Sequence, residues 1–210
     1  MNWKPQEFGI APTPYRWRPM QVCWAKQKVQ LLDCAFGRRT ITPEEWLLLY
    51  ALARRPRCQR ILEIGIWQNT SSTAFLAAME RRAGCELVSC DIKIHRPLFC
   101  HPRADVDRRW QRIEQSSHDL LPTLTGPFDL ILVDGDHGFR GVTAGPIADL
   151  RDSLRLVSDT GVIAFHDING GKLGPMFLRQ FSEIERKRIR YYPGNLAAAR
   201  KGFMLYQKPA

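Results

Sequence analysis

From residue 60 onwards, short apolar runs alternate with stretches whose apolar residues recur at helical spacing. The apolar runs of strand length are 61–65, 86–91, 112–115, 128–133, 161–165, 189–192 and 202–206. The stretches with helical spacing between them are 70–82, 147–154 and 177–184. Strands that alternate with helices form parallel sheets with helices on both faces. The pattern therefore predicts an α/β fold with a seven-stranded, mostly parallel sheet.

The first 42 residues have a different pattern. Residues 1–19 contain four prolines, and prolines at this density exclude a regular helix. A helix is predicted from about residue 20 to residue 36. Another begins at Thr42, where a capping threonine precedes a proline and a glutamate at the third position, Glu45. We therefore divide the chain into an N-terminal arm and helix, 1–42, and an α/β domain, 43–210.

The net charge of the chain is +10, and it comes from scattered arginines. An excess of basic over acidic residues favours anionic partners, including nucleic acid. The alternative is that the arginines lie on solvated helix faces and at helix C-termini, where cations complement the helix dipole. We favour this second interpretation.

Nothing in the sequence indicates a membrane or a secreted protein. No apolar run is long enough to cross a bilayer, and the first seven residues lack the apolar stretch of a secretory signal. The six cysteines form no C-x-x-C pair, and several lie in apolar segments, as reduced thiols do. We expect a cytoplasmic protein with no membrane contact.

Polar residues follow the predicted strands at the edge where a parallel sheet binds its ligand, beyond the carboxyl ends of the strands. These residues are Glu63, Gly65, Asp91, Ser116, Ser117, Asp134, His166 and Asp167. After the first strand, Gly65 allows the backbone to approach a ligand closely. A dinucleotide site has three glycines in the order G-x-G-x-x-G, and this turn has one, which argues against a nicotinamide cofactor.

The segment from Glu63 to Ser71 resembles motif I of class I methyltransferases, acid-x-Gly-x-x-x-Gly-x-Ser. Asn69 occupies the second glycine position, and asparagine tolerates left-handed backbone angles. The resemblance implies a Rossmann-like fold that binds S-adenosylmethionine, with Asp91 accepting hydrogen bonds from both ribose hydroxyls. The alternatives are a plain turn between strand and helix, and a helix-capping role for Asp91.

After the third strand, relatives often carry Gly-Asp-Ser beside the adenine of the cofactor. Ser117 matches the serine of that pattern, whereas Gln115 and Ser116 depart from it. The resemblance implies that Ser117, and with it Ser116, belong to the cofactor site.

The residues after the fourth and fifth strands are the most specific. Asp-Gly-Asp-His at 134–137 and His-Asp at 166–167 resemble a bacterial subgroup related to macrocin and rhamnosyl O-methyltransferases and to cephalosporin hydroxylase-like proteins. The resemblance covers roughly residues 43–206. A hydroxylase function lacks support, because no oxygen-activating iron site is evident.

Asp134 and Asp167 end two adjacent strands, which lie about 5 Å apart in a sheet. Two carboxylates that close repel each other unless a proton or a cation lies between them. Asp134, His166 and Asp167 are therefore a candidate site for Mg²⁺ or Mn²⁺. The alternative is that the two aspartates cap helices or brace loops around a core histidine.

Asp134 and His137 are the candidate catalytic residues. Imidazole titrates near neutral pH, so His137 is the candidate general base. Its alternative role is to fix Asp134 by a hydrogen bond.

Three functions are compatible with these residues, and we favour the first. It is methyl transfer to a hydroxyl of a small-molecule acceptor, a sugar or a natural product, in a direct displacement where the protein supplies alignment. The second is nucleic-acid modification, for which the charge and the aromatic, basic arm fit. Base amino-methylases, however, usually carry Asn/Asp-Pro-Pro-Tyr where this chain has the segment from Asp134 to His137. The third is a non-catalytic cofactor-binding module, supported only by Asn69.

The N-terminal arm carries Trp3, Phe8, Tyr15 and Trp17, and aromatic side chains of this size are rarely left wholly solvated. We expect the arm to pack over the carboxyl edge of the sheet, or against a second subunit in a homo-oligomer. In either place it could form part of the acceptor pocket. The alternative is that it only covers an outer helix.

Overall fold

A seven-stranded sheet forms the centre of the computed structural model, which describes residues 8–14, 16–31, 40–94, 101–135, 144–168, 173–193 and 202–210. The strands are β1 Arg60–Ile64, β2 Glu86–Asp91, β3 Trp110–Glu114, β4 Phe128–Val133, β5 Val157–Phe165, β6 Ile189–Pro193 and β7 Gly202–Gln207. Their order is β3-β2-β1-β4-β5-β7-β6. Strand β7 is antiparallel to both of its neighbours, and the other pairs are parallel. The predicted fold class is confirmed.

Helices pack on both faces of this sheet. Within the described residues they are α1 Pro19–Leu31, α2 Pro43–Ala53, α3 Thr70–Met79, α4 Ala104–Asp107, α5 Ser117–Leu120, α6 Ala144–Leu156, α7 Leu173–Leu178 and α8 Glu183–Arg186. The buried apolar side chains of α1, α2 and α3 belong to one apolar cluster, and those of α6 and α7 belong to a second. Neighbouring residues of β1 divide between the two clusters, Ile61 in the first and Leu62 in the second, because side chains alternate along a strand.

Two of the predicted helices differ from the described ones in extent. The single helix expected over 177–184 is wrong. Ser182 has an extended backbone and its side chain accepts from the amide of Glu185, so a new helix, α8, begins there, and Ile184 is exposed. The helix expected to run to residue 36 is described as far as Leu31, and its expected end lies outside the described residues.

Arginines near the helix ends hydrogen-bond to main-chain carbonyls. The guanidinium of Arg82 donates to the carbonyl of Ala53, the last residue of α2, and to those of Arg55 and Pro56 just after the helix. The guanidinium of Arg109 donates to carbonyls in and after the last turn of α3. The carbonyls of Ala53 and Met79, the last residues of α2 and α3, have no partner within their own helix. The interpretation of the basic residues as cations at helix C-termini is confirmed for these two arginines.

Among the described residues, no helix has the length and apolar character that a bilayer span requires. The described cysteines Cys23, Cys58, Cys85 and Cys90 are free thiols.

The described part of the N-terminal arm lies against the edge strand β6. Pro12 forms an isolated parallel bridge with Tyr191, and the amide of Thr13 donates to the carbonyl of Tyr191 at 2.6 Å. Ile10 is buried in the second apolar cluster. Further along, the indole of Trp17 donates to the carbonyl of Glu44 in the first turn of α2 at 3.2 Å. The arm therefore reaches from the sheet edge to the start of α2, and its part in an acceptor pocket stays a prediction.

Candidate active site

The predicted site residues lie at one edge of the sheet. In the register of the parallel strands, Ile64 at the end of β1 pairs with Cys90 of β2 and with Val133 of β4. Val133 in turn pairs with Phe165 at the end of β5. The residues that follow these positions, at 65, 91, 116–117, 134 and 166–167, are thereby brought to the same edge.

The loop from β1 to α3 contains three residues with positive φ, namely Gly65, Trp67 and Asn69. Gly65 has φ +92°, and a Cβ there would lie 2.3 Å from the carbonyl oxygen of Asp134. The glycine is therefore required by the close approach of the loop after β4. Asn69, the residue before α3, has φ 59° and ψ 11°. The prediction that asparagine supports a left-handed turn in place of the second glycine is confirmed.

Glu63 lies below this loop, with no exposed surface. Its carboxyl oxygens accept hydrogen bonds from the hydroxyls of Ser71 at 2.7 Å, Ser72 at 2.7 Å and Ser89 at 2.6 Å. Burial raises the pKa of Glu63 to about 7, although the three hydroxyls act in the opposite direction. Glu63 and Ser71, two of the predicted cofactor residues, thus tie together β1, β2 and α3 and support the loop from beneath.

Asp91, at the end of β2, holds the same loop from the side. Its Oδ2 accepts from the amides of Ile66 at 2.8 Å and Trp67 at 3.0 Å, and its Oδ1 accepts from the amide of Lys93 at 3.2 Å. The residue is partly exposed. A carboxylate has about four acceptor positions, so capacity for a ligand hydroxyl remains on Oδ1. The three amides that donate hydrogen bonds to Asp91 belong to loops, so Asp91 caps no helix among the described residues.

Ser116 and Ser117 lie beside Asp91, because β3 pairs with β2 and places Glu114 opposite Asp91. The hydroxyl of Ser116 accepts from the amide of His118 at 3.2 Å and so caps the short helix α5. Ser117 is the first residue of that helix and is partly exposed.

Asp134, His166 and Asp167 form a cluster at the ends of β4 and β5. One ligand atom from each lies within 4.8 Å of the others. His166 Nδ1 is 2.9 Å from Asp134 Oδ1 and 3.5 Å from Asp167 Oδ1. The prediction that these three side chains converge is confirmed, and it follows from the pairing of β4 with β5.

His166 is buried between three acidic groups. Its Nε2 is 3.5 Å from Oε1 of Glu45, and its ring packs on that of Phe203, with centroids 4.7 Å apart. Burial alone lowers the pKa of His166, but the carboxylates of Asp134 and Glu45 outweigh burial and raise that pKa well above its usual value. The cluster has three carboxylates around one imidazole and therefore favours a cation.

The donor set suits a hard divalent ion. Ligands at right angles around an octahedral Mg²⁺, with bonds of about 2.1 Å, lie about 3 Å apart. The separations of 2.9 Å and 3.5 Å from Nδ1 are close to that value. Two carboxylates and an imidazole also accommodate Mn²⁺.

Sequence reasoning identified Glu45 only as the third residue of a capping box, and both bonds of that box are present. Its contact with His166 was missed. The burial of Glu45 depends on contacts with residues distant in sequence, among them His166, and no local pattern predicts such contacts. The predicted general base, His137, lies outside the described residues, and its role stays a prediction.

Comparisons with known proteins agree with this arrangement. The sequence model of the family described as "Methyltransferase domain" matches residues 62–168. "O-methyltransferase hkm8" of Aspergillus hancockii is 37% identical over 94 residues, which are 42% of this chain and 35% of that protein. The chain thus spans about a third of the length of this relative.

Solved structures share the fold. The O-methyltransferase TomG from Streptomyces achromogenes, involved in tomaymycin synthesis and solved with S-adenosylmethionine, is 21% identical over 92% of both chains, with a TM-score of 0.59. MycE, a methyltransferase of the mycinamycin pathway solved with Mg, S-adenosylhomocysteine and mycinamycin VI, is 15% identical over 88% of this chain and 54% of its own, with a TM-score of 0.57. At these identities the likeness establishes the fold alone.

The match to the methyltransferase-domain family covers half of the chain and includes the ends of β1, β2, β3, β4 and β5. The order of the strands, the left-handed turn at Asn69 and the position of Asp91 agree with that assignment. The chain belongs to the class I S-adenosylmethionine-dependent methyltransferases.

Proposed function

We propose that this protein transfers the methyl group of S-adenosylmethionine to a hydroxyl oxygen of a small-molecule acceptor, a sugar or a natural product, with a divalent ion at Asp134, His166 and Asp167. The observation that carries the proposal is the convergence of these three side chains at the edge that also holds Asp91. A bound ion would lower the pKa of the acceptor hydroxyl and orient it.

The residues around the loop from β1 to α3, here called the first loop, would bind the cofactor. Asp91 braces the loop through the amides of Ile66 and Trp67 and has acceptor capacity on Oδ1 for the ribose hydroxyls. Ser116 and Ser117 lie beside it, at the position proposed for adenine. Asn69 and Gly65 set the shape of the loop. Glu63 and Ser71 would act indirectly, by holding the loop from beneath.

The acceptor class is supported by the relatives. The names of hkm8 and TomG describe O-methyltransferases, and MycE was solved with both Mg and a small-molecule acceptor. His137 is proposed as the base that removes the hydroxyl proton, and Asp134 is proposed as a second catalytic residue. A cytosolic location belongs to the same proposal and is supported by the free thiols of the described cysteines.

The test uses radiolabelled S-adenosylmethionine with a panel of hydroxylated sugars and aromatic natural products, in Mg²⁺, in Mn²⁺ and in excess chelator. We expect label to enter an acceptor only when a divalent ion is present. Asp167→Asn should lower the rate at least about tenfold, because it weakens one of few ligands. Asp159→Asn, which changes an aspartate that is 78% exposed, is the matched control.

Two results would count against the proposal. Full activity in excess chelator would leave Asp134, His166 and Asp167 as structural or acid/base groups. Label entering unrelated nucleic acid, in a salt-dependent manner, would favour nucleic-acid modification instead.

A further inference from the structure

Two capping boxes occur among the described residues, in very different surroundings. In one, Ser182 and Glu185 begin α8, where Glu185 is partly exposed. In the other, Thr42 and Glu45 begin α2, where Glu45 has no exposed surface. The local motif is the same, so it does not explain why the second glutamate is buried.

Only one carboxyl oxygen of Glu45 is used by the capping box. Oε2 accepts from the amide of Thr42 at 2.7 Å, and the hydroxyl of Thr42 accepts from the amide of Glu45 at 3.3 Å. These two bonds fix the side chain. They leave Oε1 facing Nε2 of His166 at 3.5 Å, with side-chain exposures of 0% for Glu45 and 4% for His166.

The capping role does not require a charge. Glutamine serves at the third position of a capping box as well as glutamate does. Burial of a carboxylate carries a penalty of several kcal/mol unless a partner compensates for it. His166 is the imidazole that lies within reach of Oε1, and its other nitrogen, Nδ1, faces Asp134 and Asp167.

We propose that Glu45 is a positioning residue that acts through His166 on the cluster of Asp134 and Asp167. This inference rests on the proposed function. When Nδ1 ligates an ion, the ring proton is on Nε2 and needs an acceptor, and a carboxylate behind a metal-bound histidine supplies one in many metal sites. Glu45 Oε1 lies where that acceptor is needed. The capping box therefore links the start of α2 to the orientation of His166.

The test compares Glu45→Gln with Glu185→Gln, the same change in the partly exposed capping box of α8. Binding of Mn²⁺ alone is measured by electron paramagnetic resonance of the free ion. We expect Glu45→Gln to weaken Mn²⁺ binding by about 10- to 100-fold. Glu185→Gln should leave it unchanged. Binding of S-adenosylhomocysteine should stay the same in both variants, because neither residue touches the first loop.

A second measurement does not depend on the ion. In protein labelled with ¹⁵N-histidine, the side-chain nitrogens of His166 are identified by their loss in His166→Gln. We expect their resonances to move in Glu45→Gln and to stay in place in Glu185→Gln. If Glu45→Gln does not fold, Glu45→Asp takes its place, because it withdraws the carboxylate from Nε2 by one methylene.

Failure of the proposed function and failure of the inference on Glu45 give different results. If wild-type protein binds no Mn²⁺, the metal part of the proposed function fails, and the His166 resonances alone decide the role of Glu45. Unchanged His166 resonances in the folded Glu45 variant would overturn the inference. A loss of thermal stability without a change in those resonances would show that Glu45 is a helix cap and nothing more.

Discussion

The buried carboxyl of Glu63 should make the stability of the fold depend on pH in a direction opposite to that of most acidic groups. Its pKa rises from 4.5 to about 7 in the folded protein, mainly because of burial. Between these two values the folded chain keeps a proton that the unfolded chain has lost. The contribution of Glu63 to the free energy of unfolding should therefore be largest in acid and fall as the pH rises through this interval.

The expected magnitude follows from the same two pKa values. At about 1.4 kcal/mol for each pH unit, the interval between 4.5 and about 7 corresponds to about 3.5 kcal/mol. About 2.5 kcal/mol of that loss should fall between pH 5 and pH 8. Glu63→Gln keeps the size of the side chain and removes the ionisation, so the loss should be absent from the variant.

The assay is urea denaturation of wild type and Glu63→Gln at several pH values in this range. The difference between the two free energies of unfolding isolates Glu63, because other titrating groups are common to both proteins. Glu86→Gln, at the exposed start of the neighbouring strand β2, is the matched control. It keeps Glu63, so its free energy of unfolding should fall with pH as that of wild type does. If the free energies of wild type and Glu63→Gln change in parallel with pH, the reasoning is refuted.

Two further predictions concern the first loop and the arm. Gly65→Ala places a Cβ 2.3 Å from the carbonyl oxygen of Asp134 and should lower the free energy of unfolding by at least about 2 kcal/mol in urea. Gly84→Ala, with φ +80° and no atom within 4 Å, should lose only about 1 kcal/mol, and equal losses would contradict the clash. Deletion of residues 1–19 should leave S-adenosylhomocysteine binding intact and abolish acceptor turnover. Normal acceptor kinetics in the truncated protein would exclude the arm from the acceptor pocket.

Local patterns predicted the elements that depend on local sequence. The bounds of β2 and β4 agree with the predicted runs, because each is a continuous strand-like segment. Strand β2 ends at an aspartate, Asp91, and β4 is followed directly by another, Asp134. The capping box at Thr42 is present as predicted. The convergence of Asp134 with Asp167 was also predictable, since it requires only that two parallel strands be neighbours.

Features that depend on contacts distant in sequence were missed or placed inexactly. Strand β5 begins at Val157, earlier than the predicted Gly161, because the polar residues before that glycine continue the strand through an irregularity at Thr160, φ 66°. The hydroxyls that surround Glu63 come from α3 and β2. The contact of Glu45 with His166 joins residues 121 positions apart, which no local pattern encodes.

Binding of S-adenosylhomocysteine tests the central claim most directly. We predict that it raises the melting temperature of wild type, because a ligand at about 100 times its Kd stabilises the folded state by about 2.7 kcal/mol. For a chain of this size that corresponds to roughly 5 to 10 °C. Asp91→Ala should lose most of the shift, whereas Asp105→Ala, which changes a half-exposed surface aspartate, should keep it. An unshifted melting temperature of wild type at millimolar S-adenosylhomocysteine would contradict the account.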